Sequence, residues 1–258
     1  MENYTEINSK TIDSWIEAEG SWEWGIPVSE EICEKARHGE WGVVLTPTIT
    51  VPLEWFPPLQ GLKLLGLASG GGQQMPIFSI LGAQCTVMDF SDRQLESERL
   101  VSSREGYDID IVKADMSKRF PFEDETFDLI FHPVSNVYVE DVYHVWQECY
   151  RVLRPGGVLL AGLDNGINFL FGSDDKALTV VNKLPFNPLK NAELMKELQL
   201  NDAGIQFSHT FDEQIGGQLK AGFVIVGGYE DYNGDTEPEP ELIKSIPSFW
   251  ATKAVKPT

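Results

Sequence analysis

The segment from residue 62 to residue 74 constrains the fold of this chain more than any other. It reads LKLLGLASGGGQQ, an apolar strand that runs into a turn of small residues and then into a helix. A second apolar run, residues 85–88, ends at Asp89. Small residues let a ligand lie against the backbone, a helix N-terminus offers free N–H donors, and a carboxylate on the neighbouring strand binds ribose hydroxyls. Together they predict a pocket for a nucleoside cofactor.

Short apolar runs alternate with helical patterns between residues 62 and 163, which is typical of a parallel sheet with crossover helices. Strands are predicted near residues 62–68, 84–89, 108–113, 126–132 and 157–163, and later at 223–226 and 249–255. Helices are predicted over residues 73–81, 92–105, 139–153 and 211–221, with Ser91 as the N-cap of the second. The pattern indicates an α/β fold.

A chain of 258 residues that is 42% hydrophobic is long enough for one globular domain with additions to its core. We expect an N-terminal accessory or lid segment over residues 1–60 and a cofactor-binding core over 61–163. Residues 164–210 are expected to cover the substrate side, and 211–258 to complete the sheet.

Tryptophan is concentrated before the first predicted strand. Five of the seven, at positions 15, 22, 24, 41 and 55, lie there, which is too much aromatic surface for a disordered tail. This segment is either a lid over the cofactor or an accessory layer packed on the sheet. Trp24, Trp41 and Trp55 are the lid candidates.

The net negative charge of the chain limits the kinds of partner that it can bind. With 20 basic against 40 acidic residues, the formal charge is −20, which opposes binding to nucleic acid or to an anionic membrane. The three cysteines are widely separated and form no C-x-x-C pair, so we expect free thiols, no thiolate zinc site and no other metal centre. Since no basic and apolar leader or long apolar run is found, the expected location is the cytoplasm.

The motifs occur in an order that resembles one family. They are residues 64–72, Asp89, the KADM segment at 113–116, FDLI at 127–130 and RVLRPGG at 151–157. In this order the chain resembles the class I S-adenosylmethionine-dependent methyltransferases, of the type-11 methyltransferase domain subgroup. The resemblance covers residues 62–163 and implies a doubly wound, Rossmann-like sheet of seven mostly parallel strands. It also implies S-adenosylmethionine as the cofactor.

The resemblance also implies roles for individual residues. Asp89 would bind the ribose and Phe90 would lie against the adenine, while His132 would border the methionine and substrate side. Asp115 and Met116 would contact the adenine edge. The turn that would hold the methionine part consists of Ala68, Ser69, Gly70, Gly72 and Gln73.

The chain departs from the family pattern at two positions of the first turn. Gly66 stands where the family usually has an acidic residue, and Ala68 stands where it usually has glycine. A dinucleotide site is the competing interpretation of the glycine turn, but Met75 occupies the third glycine position of that motif. This methionine argues against NAD.

Several site residues have a structural alternative. Asp89 would serve as a helix cap if Ser91 did not, and Asp115 would serve as a turn former. His132 follows a strand end and precedes a proline, a position that suits a packing histidine or one that orients substrate. His209 is a weaker candidate, since only its position suggests it.

Methyl transfer from a sulfonium is an in-line displacement, so the protein mainly aligns a nucleophile and excludes water. A base would assist a hydroxyl or carbon acceptor, with His132 as the first candidate and His209 as the second. We expect a small-molecule methyl acceptor. The alternatives are a non-catalytic S-adenosylmethionine-binding or interaction module and a protein methyltransferase.

Overall fold

The computed structural model describes residues 3–18, 25–171, 179–233 and 244–258. Its centre is one seven-stranded sheet with the strand order β3-β2-β1-β4-β5-β7-β6. The strands are β1 (Lys63–Leu67), β2 (Gln84–Asp89), β3 (Asp110–Lys113), β4 (Phe127–His132), β5 (Leu153–Asp164), β6 (Val224–Asp231) and β7 (Phe249–Val255). Strands β1 to β5 pair in parallel, and β7 runs antiparallel between β5 and β6. The predicted α/β fold class is confirmed.

Helices cover both faces of this sheet. They are α1 (Tyr4–Glu17), α2 (Glu30–Arg37), α3 (Met75–Ile80), α4 (Asp92–Glu105), α5 (Val142–Val152), α6 (Ala192–Leu200) and α7 (Gly217–Ala221). The predicted helix over 211–221 is divided, because a π-helical turn, Asp212–Gly216, precedes α7. None of the helices in the described ranges is long and apolar enough to cross a membrane.

Two apolar cores lie on opposite faces of the sheet. One joins β1, β2 and β4 to α2, α3 and the segment 41–56, and Phe78 is fully buried in it. The other places α5 against the sheet around Trp146, which is also fully buried. All three cysteines, Cys33, Cys85 and Cys149, are free and buried. Burial on both faces explains why the central strands read as continuous apolar runs.

Strand β5 begins four residues earlier than predicted. The prediction began this strand at residue 157, after Pro155 and Gly156, but both of these residues lie within β5. Pairing with β4 jumps from Phe127↔Leu153 to Leu129↔Val158, so the extra residues form an irregularity in the strand. Proline and glycine are tolerated at such irregularities, which is why they did not end the strand.

Candidate functional site

A cavity of about 490 Å³ lies at the C-terminal edge of the parallel strands. Its lining includes residues that end or follow β1 to β5, namely Ala68, Asp89, Ala114, Pro133 and Asp164. Helix α1 and the segment 44–47 also contribute to its wall. This edge is where open α/β sheets bind ligands, and the volume is in the range of small-molecule sites.

The turn after β1 lies against the neighbouring strand. The Gly70 N–H donates to Asp89 Oδ2 at 3.1 Å, and the Ala68 N–H donates to the Met88 carbonyl at 2.8 Å. A Cβ at position 70 would come within 2.7 Å of Gln94 Cβ and 2.9 Å of Asp89 Oδ2, so only glycine fits without a shift. Ala68 has a φ of +46°, in the left-handed region that favours glycine. Ala68, Ser69 and Gly70 all line the cavity.

Asp89 lines the cavity with a carboxylate that is only partly used by the protein. Its Oδ1 accepts the Ser91 N–H at 3.0 Å and its Oδ2 accepts that of Gly70. Burial raises the pKa of the Asp89 carboxyl, and these N–H donors oppose that rise. A carboxylate has about four acceptor positions, so Asp89 keeps capacity for a ligand hydroxyl beside its backbone donors Ser91, Gly70 and Phe90. Ser91 is the N-cap of α4, as predicted, because its Oγ accepts the Gln94 N–H at 3.1 Å.

Phe90, Asp115 and Met116 line the same end of the cavity. Asp115 also forms a turn, because its Oδ1 accepts the Ser117 N–H at 2.8 Å. Asp115 therefore forms a turn and also lines the cavity, so its turn-forming role is compatible with the predicted contact to the adenine edge. Met116 is buried and packs in the second core, so it presents a fixed apolar surface to the cavity.

Gly72 and Gln73 have different surroundings, although they are neighbours. Gln73 lines the cavity, whereas Gly72 does not. The Gly72 N–H donates to the buried Glu98 at 2.8 Å, and a Cβ there would come within 2.8 Å of Val101. Gly72 thus permits close packing of the turn on α4. Its cofactor role stays a prediction that this geometry does not favour.

At position 66, where the family usually has an acidic residue, Gly66 instead packs against Met75. A Cβ at position 66 would overlap Met75 Sδ, and Met75 is fully buried. Gly66 and Met75 therefore form one apolar contact beneath the turn. Among the described residues of β1, the turn after it and α3, none that lines the cavity carries a carboxylate in place of the acidic residue that the family usually has at position 66.

Neither candidate histidine lines the cavity. His132 is fully buried, its Nδ1–H donates to the Leu67 carbonyl at 2.9 Å, and its Nε2 faces the Asn136 side-chain amide at 2.8 Å. His209 Nε2–H donates to the Asn136 carbonyl at 3.0 Å. Burial lowers the pKa of both imidazoles. The structure gives both rings structural partners, so the predicted catalytic roles find no support here and are not used below.

Two of the three tryptophan candidates, Trp41 and Trp55, are not part of the cavity lining. Trp41 packs edge-on against Phe56 and Phe78 in the first core, and Trp55 packs against Tyr229 of β6. Trp24 lies outside the described residues. Trp41 and Trp55 therefore belong to an accessory layer packed on the sheet, which was the competing interpretation.

Helix α1 provides the wall that the tryptophans do not. Ser9 Oγ donates to the Phe90 carbonyl at 2.9 Å, and Asp13 accepts from Ser91 Oγ at 2.6 Å, so α1 is bonded to the end of β2. On its other side, Asn8 accepts the Ile205 N–H at 2.6 Å and donates to the Ile205 carbonyl at 2.8 Å. The helix thus joins the two halves of the cavity wall.

The segment 44–47 is held over β5 and β6. The Leu45 carbonyl accepts the Val134 N–H at 3.1 Å, and a Cβ at position 162 would overlap that carbonyl oxygen. Asp231, at the end of β6, accepts from the Thr48 hydroxyl and from the Thr48 N–H at 2.8 Å. Burial alone would raise the pKa of Asp231, but these hydrogen bonds lower it.

Sequence reasoning missed most of the far end of the cavity. The lining there includes Asp164, Asn168, Phe169, Gln206 and Phe249, and sequence reasoning also missed Tyr138, which lines the cavity within range of the Asp89 charge. Burial raises the pKa of the Tyr138 phenol to about 12, and the Asp89 charge adds to this rise. One signal was available, because Asp164 ends the apolar run of β5 as Asp89 ends that of β2.

Comparison with known proteins places this site in a family. Residues 65–161 match a family described as a methyltransferase domain. An S-adenosylmethionine-dependent methyltransferase from Mesorhizobium loti shares the fold, with a TM-score of 0.60 and 21% identity over 78% of this chain and 94% of that one. An uncharacterized methyltransferase of Bacillus subtilis, YbaJ, is 40% identical over 254 residues, 96% of this chain and 97% of the relative. The chain belongs to the S-adenosylmethionine-dependent methyltransferases.

The match to a sterol methyltransferase is much shorter than the match to YbaJ. The sterol 24-C-methyltransferase of Aspergillus fumigatus is 33% identical over 103 residues, which is 38% of this chain but 27% of that enzyme. A likeness of this extent carries no information about this enzyme's acceptor.

The residues of this methyltransferase fit S-adenosylmethionine. The cradle at Gly70 excludes a side chain, Asp89 keeps free acceptor positions, and Phe90 and Met116 supply apolar surface. The methyltransferase is therefore expected to hold the ribose at Asp89 and the adenine between the ends of β2 and β3.

Proposed function

We propose that this methyltransferase transfers a methyl group to a small molecule bound in the cavity beside the cofactor. The observation that carries the proposal is the extent of the cavity. It runs from the turn after β1, past Ser135 after β4, to Asp164 and Phe169 after β5. The cavity lining continues beyond the cofactor residues, and α1 and the segment 44–47 form walls around this further part.

When bound, S-adenosylmethionine supplies a methyl group already activated by its sulfonium. The protein's own task is then to orient the acceptor in line and to exclude water. Apolar residues suit that task, and Val44, Leu45, Val137 and Phe249 are among those that line the cavity. The in-line geometry requires no paired acid and base.

Charge supports a small molecule over a nucleic acid. The chain carries a formal charge of −20, which repels a phosphate backbone. As part of the same proposal, the enzyme works in the cytoplasm, where its three free, buried cysteines remain reduced.

Two measurements test the proposal. Calorimetric titration with S-adenosylmethionine is expected to show binding at one site. Incubation with methyl-labelled cofactor and a small-molecule extract of Bacillus subtilis, the organism of the relative YbaJ, is expected to yield S-adenosylhomocysteine and a labelled small product. Binding without any turnover would instead indicate a non-catalytic cofactor-binding protein, and label recovered only in protein would indicate a protein methyltransferase.

A further inference from the structure

Asp164 places a carboxylate in the cavity wall at the end of β5. The residue is 6% exposed, and its Oδ1 accepts the Gly166 N–H at 2.6 Å. Its Oδ2 faces the Asn168 amide nitrogen at 3.4 Å, which is long for a hydrogen bond. A carboxylate offers about four acceptor positions, so Asp164 retains capacity for a ligand donor.

No cationic side chain of the described cavity lining neutralises this carboxylate. The described residues that line the cavity include no Lys, Arg or His, and their other ionisable groups are Asp89, Asp115 and Tyr138. Burial raises the pKa of Asp164 to about 6, against the opposing hydrogen bonds from Gly166 and Asn168. A buried carboxylate without a counter-ion is costly, and such groups are concentrated at functional sites.

The position of Asp164 separates it from the cofactor residues. Strand β5 is two strands from β1 in the sheet, a separation of roughly 10 Å. Its register partner in β7 is Phe249, and Phe169 follows in the next turn, so apolar rings line the cavity with it. The carboxylate thus lies on the side left for the acceptor, beside surface that suits an apolar body.

We propose that Asp164 binds the O–H or N–H group that accepts the methyl, and that the acceptor is an uncharged hydroxyl compound or a cationic amine without carboxylate or phosphate groups. This inference rests on the proposed function. The acceptor's oxygen or nitrogen bonds to the methyl carbon as the carbon–sulfur bond breaks and leaves its electron pair on sulfur. A hydroxyl gives its proton to Asp164 as the bond to carbon forms. A cationic amine gives one proton to Asp164 before the attack, because an ammonium nitrogen has no electron pair with which to bond. In both cases the proton then passes from Asp164 to water. An anionic acceptor is disfavoured because it meets the Asp164 carboxylate, and no Lys, Arg or His of the described cavity lining is present to pair with it.

The charge class is tested before the acceptor is known. A small-molecule extract of Bacillus subtilis is separated by charge at pH 7 into cationic, neutral and anionic pools, and each is incubated with the protein and methyl-labelled S-adenosylmethionine. Label transfer to the neutral or cationic pool is expected to exceed transfer to the anionic pool at least 10-fold. Label in the neutral pool would indicate a hydroxyl, and label in the cationic pool an amine. Equal or greater transfer to the anionic pool would overturn the inference. No transfer to any pool would contradict the proposed function itself.

The role of Asp164 is tested by Asp164→Asn, which keeps an acceptor for the Gly166 N–H. With the active pool, kcat is expected to fall at least 10-fold and the loss of activity below about pH 6 to disappear, while the Kd for S-adenosylmethionine stays within twofold. Asp212→Asn, which alters an exposed carboxylate paired with Lys220, is the control and should behave as wild type. Wild-type kcat and an unchanged pH profile in Asp164→Asn would overturn the role.

A second variant covers the case in which Asp164→Asn does not fold. Asn168→Ala removes a donor that lowers the pKa of Asp164 and leaves the carboxylate in place. The acid limb of the pH–rate profile is therefore expected to move to higher pH. An unmoved acid limb would contradict a proton-accepting Asp164.

Discussion

The two halves of the cavity are built in different ways. On the β1–β2–β3 side, the lining comes from residues directly after three neighbouring strands, and short contacts such as Gly70 N–H to Asp89 hold it together. On the β4–β5 side, the lining is assembled from α1, the segment 44–47, the residues after β4 and β5, Gln206 and Phe249. The first half is local in sequence, and the second depends on contacts between distant segments.

This difference separates the part of the cavity that is shared with other methyltransferases from the part that is particular to this chain. The local half is the part that matches other methyltransferases over residues 65–161. The assembled half lies largely outside that range, so its shape belongs to this chain and to relatives that match along their whole length. Substitutions in the first half should therefore alter cofactor binding, and substitutions in the second should alter the acceptor site or its assembly.

The largest effect is expected at Asp89. In Asp89→Ala, the expected ribose contacts are lost, and the N–H groups of Gly70 and Ser91 lose the carboxylate that accepts from them. Hydrogen bonds to charged groups contribute about 1.5–3 kcal/mol each. The Kd for S-adenosylmethionine should rise roughly 10- to 100-fold by calorimetry. Asp92→Ala, which removes an exposed carboxylate paired with Lys113, is the matched control. Equal affinities in all three proteins would remove Asp89 from the cofactor site.

The assembled half should be sensitive at Gly162. The added methyl in Gly162→Ala overlaps the Leu45 carbonyl oxygen, so the segment 44–47 must move. Overpacking of this kind costs about 1–3 kcal/mol of unfolding free energy, measured by chemical denaturation. The cofactor Kd should change little. Gly228→Ala, where the nearest atom is Ala251 O at 3.1 Å, should cost less. A change in cofactor affinity without a loss of stability would contradict the separation of the two halves.

Glu98, behind the cofactor turn, should make stability depend on pH. Burial raises its pKa to about 8, so the folded state favours the protonated form. The stabilisation is fully present below the unfolded pKa, near 4.3, and is lost as pH rises through 8. Glu98→Gln keeps an acceptor for Gly72 but cannot ionise. At pH 8.5 it should exceed wild type by about 1–2 kcal/mol in unfolding free energy.

The control for that comparison is Glu96→Gln, an exposed position on the same helix. Denaturation curves at pH 5, 7 and 8.5 should show wild-type stability falling and Glu98→Gln remaining nearly level. Parallel pH dependence in both proteins would show that the Glu98 carboxyl is not responsible.

The smallest effect is expected at Ala68. Its left-handed φ of +46° costs alanine about 1–2 kcal/mol, and glycine would avoid this but lose about 0.5–1 kcal/mol through chain entropy. Ala68→Gly should therefore raise the unfolding free energy by no more than about 1 kcal/mol. Ala83→Gly, at an alanine without positive φ, should lower it. Destabilisation in both would show that the turn is not strained at Ala68.

The sequence predicted the local half well for a physical reason. Strand, turn and carboxylate lie within about thirty residues there, and strand periodicity fixes which residues meet at the sheet edge. The start of β5 was misjudged because Pro155 and Gly156 usually interrupt a strand, and here a change of register absorbs them.

The assembled half was less accessible to sequence reasoning. Trp41 and Trp55 are aromatic, and nothing in their spacing tells a lid from a layer on the sheet. His132 ends a strand, but its ring faces Leu67 and Asn136 and not the cavity. The walls formed by Asn8, Leu45 and Gln206 depend on pairings across most of the chain, which periodicity does not encode.

Helix α1 has a consequence for how the enzyme completes a reaction cycle. It is bonded through Ser9 and Asp13 to the end of β2, and through Asn8 and Thr11 to Ile205 and Asp202. Because the same helix contacts both sides of the cavity, we expect a displacement of α1 to open the cofactor side and the acceptor side together. Release of S-adenosylhomocysteine and of the methylated product would then be coupled through this helix, which is far in sequence from the residues after β2 and β5.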